Sequence, residues 1–254
     1  MKKVSNSIWS FVLIATLVFL AGFVMMTGQF FYSSLADERG DSVQVNQSNA
    51  EEVFSDPSRY SSITLTSDVD MNGIILEGKS NSSGAFTGVL DGNGFSISNL
   101  SFGNAEGANN FALIPFAQNA TIQNLKISGS ASFSFSQTEY NVVNVGLLVG
   151  RASGTTISNC EIAVDGVQLD FSNNSANVGL IAGNVENCQI YDIVVKSDLA
   201  IVLTSDAQYN IGGLVGAFSS SSIRRSLFFG AITISSQNQS FDSIFAGGLM
   251  GFAQ

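Results

Sequence analysis

The feature that most constrains this chain is a block that returns at a nearly fixed interval. Asn144-Val145-Gly146-Leu147-Leu148-Val149-Gly150 comes back as Asn177-Val178-Gly179-Leu180-Ile181-Ala182-Gly183 and as Asn210-Ile211-Gly212-Gly213-Leu214-Val215-Gly216. It closes the chain as Ala246-Gly247-Gly248-Leu249-Met250-Gly251. The steps between leading glycines are 33, 33 and 35 residues. A period of this size marks a repeat architecture, in which each unit buries its apolar face only against its neighbours.

A second series runs in phase with the first. Ile97, Ile122, Ile157, Ile190 and Ile223 stand two residues before Asn99, Asn124, Asn159, Asp192 and Arg225. They stand three before Leu100, Leu125, Cys160, Ile193 and Ser226, and five before Phe102, Ile127, Ile162, Val195 and Phe228. Alternation that slips by one residue at the asparagine describes two short strands meeting at a corner. Asparagine suits a corner because it tolerates the left-handed conformation and hydrogen-bonds locally. In three repeats the isoleucine lies 11 residues after the leading glycine. A looser series follows, with Phe133 and Phe135, Val167 and Leu169, Ile201 and Leu203, Ile232 and Ile234.

Three short strands per repeat, each pairing with its copy one repeat away, make a parallel β-helix. The expected fold is therefore all-β, a parallel β-helix (solenoid) of about five to six coils over residues 54–254. Asn99, Asn124, Asn159 and Asp192 are expected to stack as a ladder at one corner, and the block glycines to turn the backbone sharply. Phe111-Ala112-Leu113-Ile114-Pro115-Phe116 reads as a divergent early coil, its proline suited to an edge strand. Asp91-Gly92-Asn93-Gly94 marks a tight turn needing positive φ. Ser62–Met71 reads as a first strand. A β-sandwich also uses short strands and frequent turns, but the constant period argues against it.

Residues 8–32 carry no charge and follow Lys2 and Lys3. A secretory signal has an apolar region of about 7–15 residues, whereas a spanning helix needs about 20. Residues 1–36 are therefore expected to be a transmembrane signal-anchor, with a signal peptide cleaved after Ser34-Leu35-Ala36 as the alternative. The positive-inside rule keeps the lysines in the cytoplasm and exports the chain from Asp37 onward. Residues 37–53 read as a linker, with a brief helical turn within Glu51–Tyr60 and Asn49 as its N-cap.

The composition excludes several kinds of chemistry. There is no histidine among the 254 residues. That removes the usual general base and every Ser-His or Cys-His nucleophile pair. Net charge is −10, and the part beyond Ala36 stands at −12, with twenty acidic and eight basic residues. Such a surface repels nucleic acid, which is not expected as a partner. Cys160 and Cys188 are too few for a disulfide scaffold and lie five places out of register, so both are expected as buried free thiols.

The Gly-Gly-Leu-Val-Gly block followed by Ile-x-Asn-Cys resembles the GLUG-motif repeats of exported β-helical surface proteins. Phe86-Thr87-Gly88-Val89-Leu90-Asp91-Gly92-Asn93-Gly94, with Leu65–Met71 upstream, is similar to the N-terminal coils that often precede them. The resemblance covers roughly residues 54–254. In some bacterial members the motif accompanies a separate zinc peptidase acting on immunoglobulin A. A histidine-free chain lacks that zinc site.

No residue is assigned here as catalytic, cofactor-binding or metal-binding, and no cofactor is expected. Asp68, Asp70 and Asp91 are the carboxylates that calcium binding or sugar cleavage would use, against a plain solvated rim. Arg224 and Arg225 are weighed as a partner for an acidic glycan against a charged strand edge. Glycosylation sequons occur at Asn46, Asn81, Asn99, Asn119, Asn173 and Asn238. The function expected is a non-enzymatic, adhesin-like or structural module, membrane-anchored with its C-terminal part outside the cytoplasm, or secreted. Its partners are then the membrane, through the N-terminal helix, and an extracellular glycan or cell-surface protein. A glycan-active enzyme is the first alternative and a truncated fragment without independent function the second. The last block has no corner after it, so the final coil is expected to be open and the chain incomplete.

Overall fold

The computed structural model describes residues 40–103, 105–134, 142–171, 175–204, 207–236 and 243–254. The signal or transmembrane helix expected within residues 1–36 lies outside them. Among the described residues no helix is long and apolar enough to cross a membrane.

Asp41–Gln254 forms one compact unit with one contiguous core. It is a parallel β-solenoid. Each full coil, here called a rung, contributes to four sheets rather than three. In the rung that begins at Val142 these are the strands Val142–Val145, Val149–Ser153, Thr156–Val164 and Val167–Phe171. The corresponding walls are named here the Asn wall, the Gly wall, the long wall and the fourth wall. They hold five, five, twelve and three strands. The Asn and Gly walls span five rungs and so about four turns, fewer than the five to six coils expected.

The extra wall arises inside the block itself. The sequence reads Gly146-Leu147-Leu148-Val149-Gly150 as one strand. In the structure Gly146, Leu147 and Leu148 form an arch between two strands, and Leu147 and Leu148 are buried in it. The arches also stack. Leu147 N–H donates to Leu180 O at 3.2 Å, and Ile181 N–H to Leu214 O at 2.9 Å. Backbone hydrogen bonding therefore continues from rung to rung through the corner, which leaves few buried amides unpaired.

The isoleucine series becomes an unbroken column on the long wall. Ile63, Leu90, Ile122, Ile157, Ile190 and Ile223 lie in register. A parallel column follows through Val69, Ile97, Ile127, Ile162, Val195 and Phe228. Ile97 therefore belongs to the second column and not, as its local sequence suggests, to the first. The long wall bends between the two columns at Asn124, Asn159, Asp192 and Arg225, with φ of 57°, 51°, 57° and 47°. A further left-handed position opens the wall, three residues before each isoleucine: Asn119, Gly154, Asn187 and Ser220. The fourth wall stacks Val167, Leu199 and Ile232, then Leu169, Ile201 and Ile234. Its register is two residues from the one the apolar pairs suggest.

The N-terminal end departs from the repeat. Asp41–Val45 is a strand paired with Tyr60–Leu65, so regular structure begins inside the stretch read as linker. Val69–Asp70 is separate from Tyr60–Leu65, which divides the single strand read over Ser62–Met71. Helix α1 (Ala50–Ser55) buries Ala50, Val53 and Phe54. Asn49 precedes it but does not cap it through its side chain. Its Oδ1 accepts from Asn46 N–H at 2.9 Å and its Nδ2 donates to Gln44 O at 2.9 Å. Pro115 sits in the edge strand Ile114–Gln118 of the Gly wall, where a missing N–H is tolerated. Asn93 and Gly94 make the expected tight turn, with φ of 51° and 82°.

Candidate functional site

The side chains with chemical potential lie along the bends of the long wall. Asp68 Oδ1 accepts from Ser96 N–H at 2.8 Å and Ser96 Oγ at 2.9 Å. Asp70 Oδ1 accepts from Asn99 Nδ2 at 2.8 Å and Asn72 N–H at 3.0 Å. Asp91 Oδ1 accepts from Asn93 N–H at 2.8 Å and Asn124 Nδ2 at 3.0 Å, and its Oδ2 from Gln123 Nε2 at 2.9 Å. Each carboxylate thus ties its own turn to the next rung.

These bonds hold the carboxyls in the ionised form. The Ser96 amide and hydroxyl depress the pKa of Asp68, and Asn99 with the Asn72 amide depress that of Asp70. Burial pushes Asp91 up, but the bonds from Asn124, Gln123 and the Asn93 amide together outweigh it and leave it lowered. A general acid needs the opposite shift. Among the described residues no three His, Cys, Asp or Glu side chains gather closely enough to hold a metal ion.

The expected asparagine ladder is present in part. Asn159 Nδ2 donates to Asn124 Oδ1 at 2.7 Å. Asn99 stands outside it, joined instead to Asp70 on the neighbouring bend. Asp192 turns to the following rung and takes the Arg225 guanidinium as a fork, at 2.7 and 2.8 Å. That bond holds the Asp192 carboxyl low. Arg225 also lies over the Tyr191 ring, 5.7 Å from its centroid. Arg224 remains exposed, with a 3.5 Å contact to Ser222 Oγ. Beside this bend Gly94, Asn124, Lys126, Asn159, Glu161 and Asp192 line a surface trough of about 160 Å³. Glu161 is engaged by Lys196 at 2.8 Å.

Both cysteines are buried free thiols. Burial pushes the Cys160 pKa up to about 11 and raises that of Cys188. A thiol so shifted is almost wholly protonated at neutral pH and a poor nucleophile. Of the sequon asparagines, Asn99 donates to Asp70, and Asn81 accepts from Asn110 Nδ2 at 2.9 Å. Asn173 and Asn238 lie outside the described residues.

The most developed polar array is one that the sequence reading missed. Asn110, Asn144, Asn177 and Asn210 stack on the Asn wall, each at most 8% exposed. Asn144 donates to Asn110 at 2.9 Å, Asn177 to Asn144 at 2.8 Å and Asn210 to Asn177 at 2.7 Å. The block glycines explain how the ladder is buried. A Cβ on Gly183 would lie 2.6 Å from Val145 N and 2.9 Å from Asn144 C. One on Gly216 would lie 2.4 Å from Val178 N and 2.8 Å from Asn177 C. The Gly wall therefore rests directly on the backbone of the Asn wall one rung earlier. Neither glycine has a positive φ, so close approach, and not the sharp turning expected, demands glycine here. The available signal was an asparagine two residues before three of the four leading glycines. We call this double layer the seam.

The chain matches no family profile, no curated protein and no solved structure.

Proposed function

We propose that the chain is an exported GLUG-type repeat protein whose β-solenoid serves at the cell surface as a non-enzymatic, adhesin-like or structural module. Its N-terminal segment anchors it in the membrane or directs its secretion, and its partner is an extracellular glycan or another surface protein. The observation that carries this reading is the use made of the reactive side chains. Asp68, Asp70, Asp91, Asp192 and Arg225 are spent on bonds between rungs, and both thiols are buried. The uncharged N-terminal stretch and the in-phase repeat support export and the family likeness.

A glycan-active enzyme is the second reading, favoured by the surface trough that Lys126, Glu161 and Asp192 share. The test is to incubate the Asp41–Gln254 unit with a panel of polysaccharides and with cells. Retention on glycan beads or cells without turnover is expected. Release of new reducing ends or unsaturated sugars would overturn the non-enzymatic reading.

A further inference from the structure

The trough beside the bend of the long wall has a cause that repeats from rung to rung. Asn124, Asn159 and Asp192 each take the left-handed conformation. The residue after each of them, Leu125, Cys160 or Ile193, is buried in the core. The outer side chains are thereby left on two sides of a cleft, with Asn124, Asn159 and Asp192 facing Lys126, Glu161 and Val194. Lys126, Glu161 and Val194 lie in register, so the trough runs along the stack. At about 4.8 Å between strands, its three rungs extend it by about 10 Å. Rungs lie on both sides of these three, through Leu90 and through Ile223.

The charges around the trough are unequally committed. Glu161 takes Lys196, and Asp192 takes the Arg225 fork. Toward the N-terminal end Asp68 is held by Ser96, and Asp91 by Asn93, Gln123 and Asn124. At the corner with the fourth wall Asp198 accepts from Ala231 N–H, and Asp165 stands at the same corner one rung earlier. Lys126 is exposed, and among the described residues it is the one charged group lining the trough that makes no ion pair. Asn159 gives its Nδ2 to Asn124, and no described group donates to its Oδ1.

We propose, on the reading that the partner is a glycan, that this trough holds a linear glycan carrying an isolated acidic sugar. The acid pairs with the Lys126 ammonium, a charge-assisted bond of the strong kind. Neighbouring hydroxyls donate to Asn159 Oδ1 and to the Glu161 carboxylate. The acid has to be sparse, because one cation is on offer and a net charge of −10 opposes a densely anionic chain. A peptide strand is not the occupant, since these strands are paired on both edges and offer no ladder to extend.

Matched pairs of sugars test this on the Asp41–Gln254 unit by calorimetry: glucuronoxylan against xylan, sialyllactose against lactose, and carrageenan against agarose, the last pair separating sulfate from carboxylate. In at least one pair the acidic member is expected to bind about tenfold or more tightly than its neutral parent, and polygalacturonate to bind more weakly than that member. Lys126→Ala should abolish the preference, and Val194→Glu, which sets a carboxylate in the same trough, should do so too. Lys79→Ala removes the same charge away from the trough and should change nothing. Circular dichroism checks each fold, and if Val194→Glu fails to fold the exposed Lys126 decides. Equal binding within every pair, a preference that the folded trough variants leave intact, or one that Lys79→Ala lowers as much would overturn the inference and leave a glycan-binding surface module standing. Binding of none of the sugars would overturn the inference and the glycan partner together.

Discussion

The rung that contains Gly183 and the rung that contains Gly248 are written in nearly the same residues and have different physical lives. In the first, Leu180, Ile181 and Ile190 are buried at 2% exposure or less. In the second, Ile244 and Leu249 are substantially exposed. A residue in a solenoid is therefore buried by the rung beyond it and not by its own hydrophobicity. The close approach of the Gly wall does not follow this rule, because it is made to the rung before. A Cβ on Gly251, the counterpart of Gly183 in the last rung, would lie 2.3 Å from Ile211 N, whereas one on Gly248, in the arch, would meet nothing within 4 Å.

The largest expected effect comes from a Gly-wall glycine set against an arch glycine. Gly183→Val has no flexible neighbour to move and should cost more than about 4 kcal/mol, enough to unfold a marginal domain. Gly248→Ala should change stability by no more than about 0.5 kcal/mol. Urea unfolding of both variants gives the comparison, and similar costs would break it.

A smaller difference is expected along the asparagine ladder. Asn177→Ala orphans Asn144 Oδ1 and Asn210 Nδ2, both in a buried seam, and should cost about 2–4 kcal/mol. Asn210→Ala orphans only Asn177 Oδ1 and removes an acceptor that was already unpaired. Its cost should be nearer about 1–2 kcal/mol. Equal losses in denaturant titrations would show that the ladder acts through packing alone.

The period, the parallel stacking and the long isoleucine column were legible in the sequence because each is a matter of spacing. The link between Asn124 and Asn159 was legible for the same reason. The fourth wall was not. Leu147 and Leu148 are apolar and buried like strand residues, and a short apolar run does not reveal whether it is straight or arched. The seam was hidden by a reasonable inference in the wrong place: a polar residue alternating within a strand suggests water. Asn144 faces another sheet instead, brought close by Gly183 of the following rung. Asn99 misled in a different way. Its Ile-x-Asn pattern is local, and only the pairing of Ile97 with Ile127 assigns it to the neighbouring bend. Of the candidate site, residue types were legible but their engagement between rungs was not, since the side chains and amide that tie Asp68, Asp70 and Asp91 to the next rung stand 28 to 33 residues away.

Hydrogen exchange, read peptide by peptide on a dilute Asp41–Gln254 sample, tests the central claim most directly. In this unit, amides in residues 175–196 should be protected strongly and those in 41–65 nearly as strongly, while residues 222–236 and 243–254 exchange fast. Uniform protection through Gln254 in a monomeric sample, or an N-terminal end that exchanges as fast as the last rung, would contradict it.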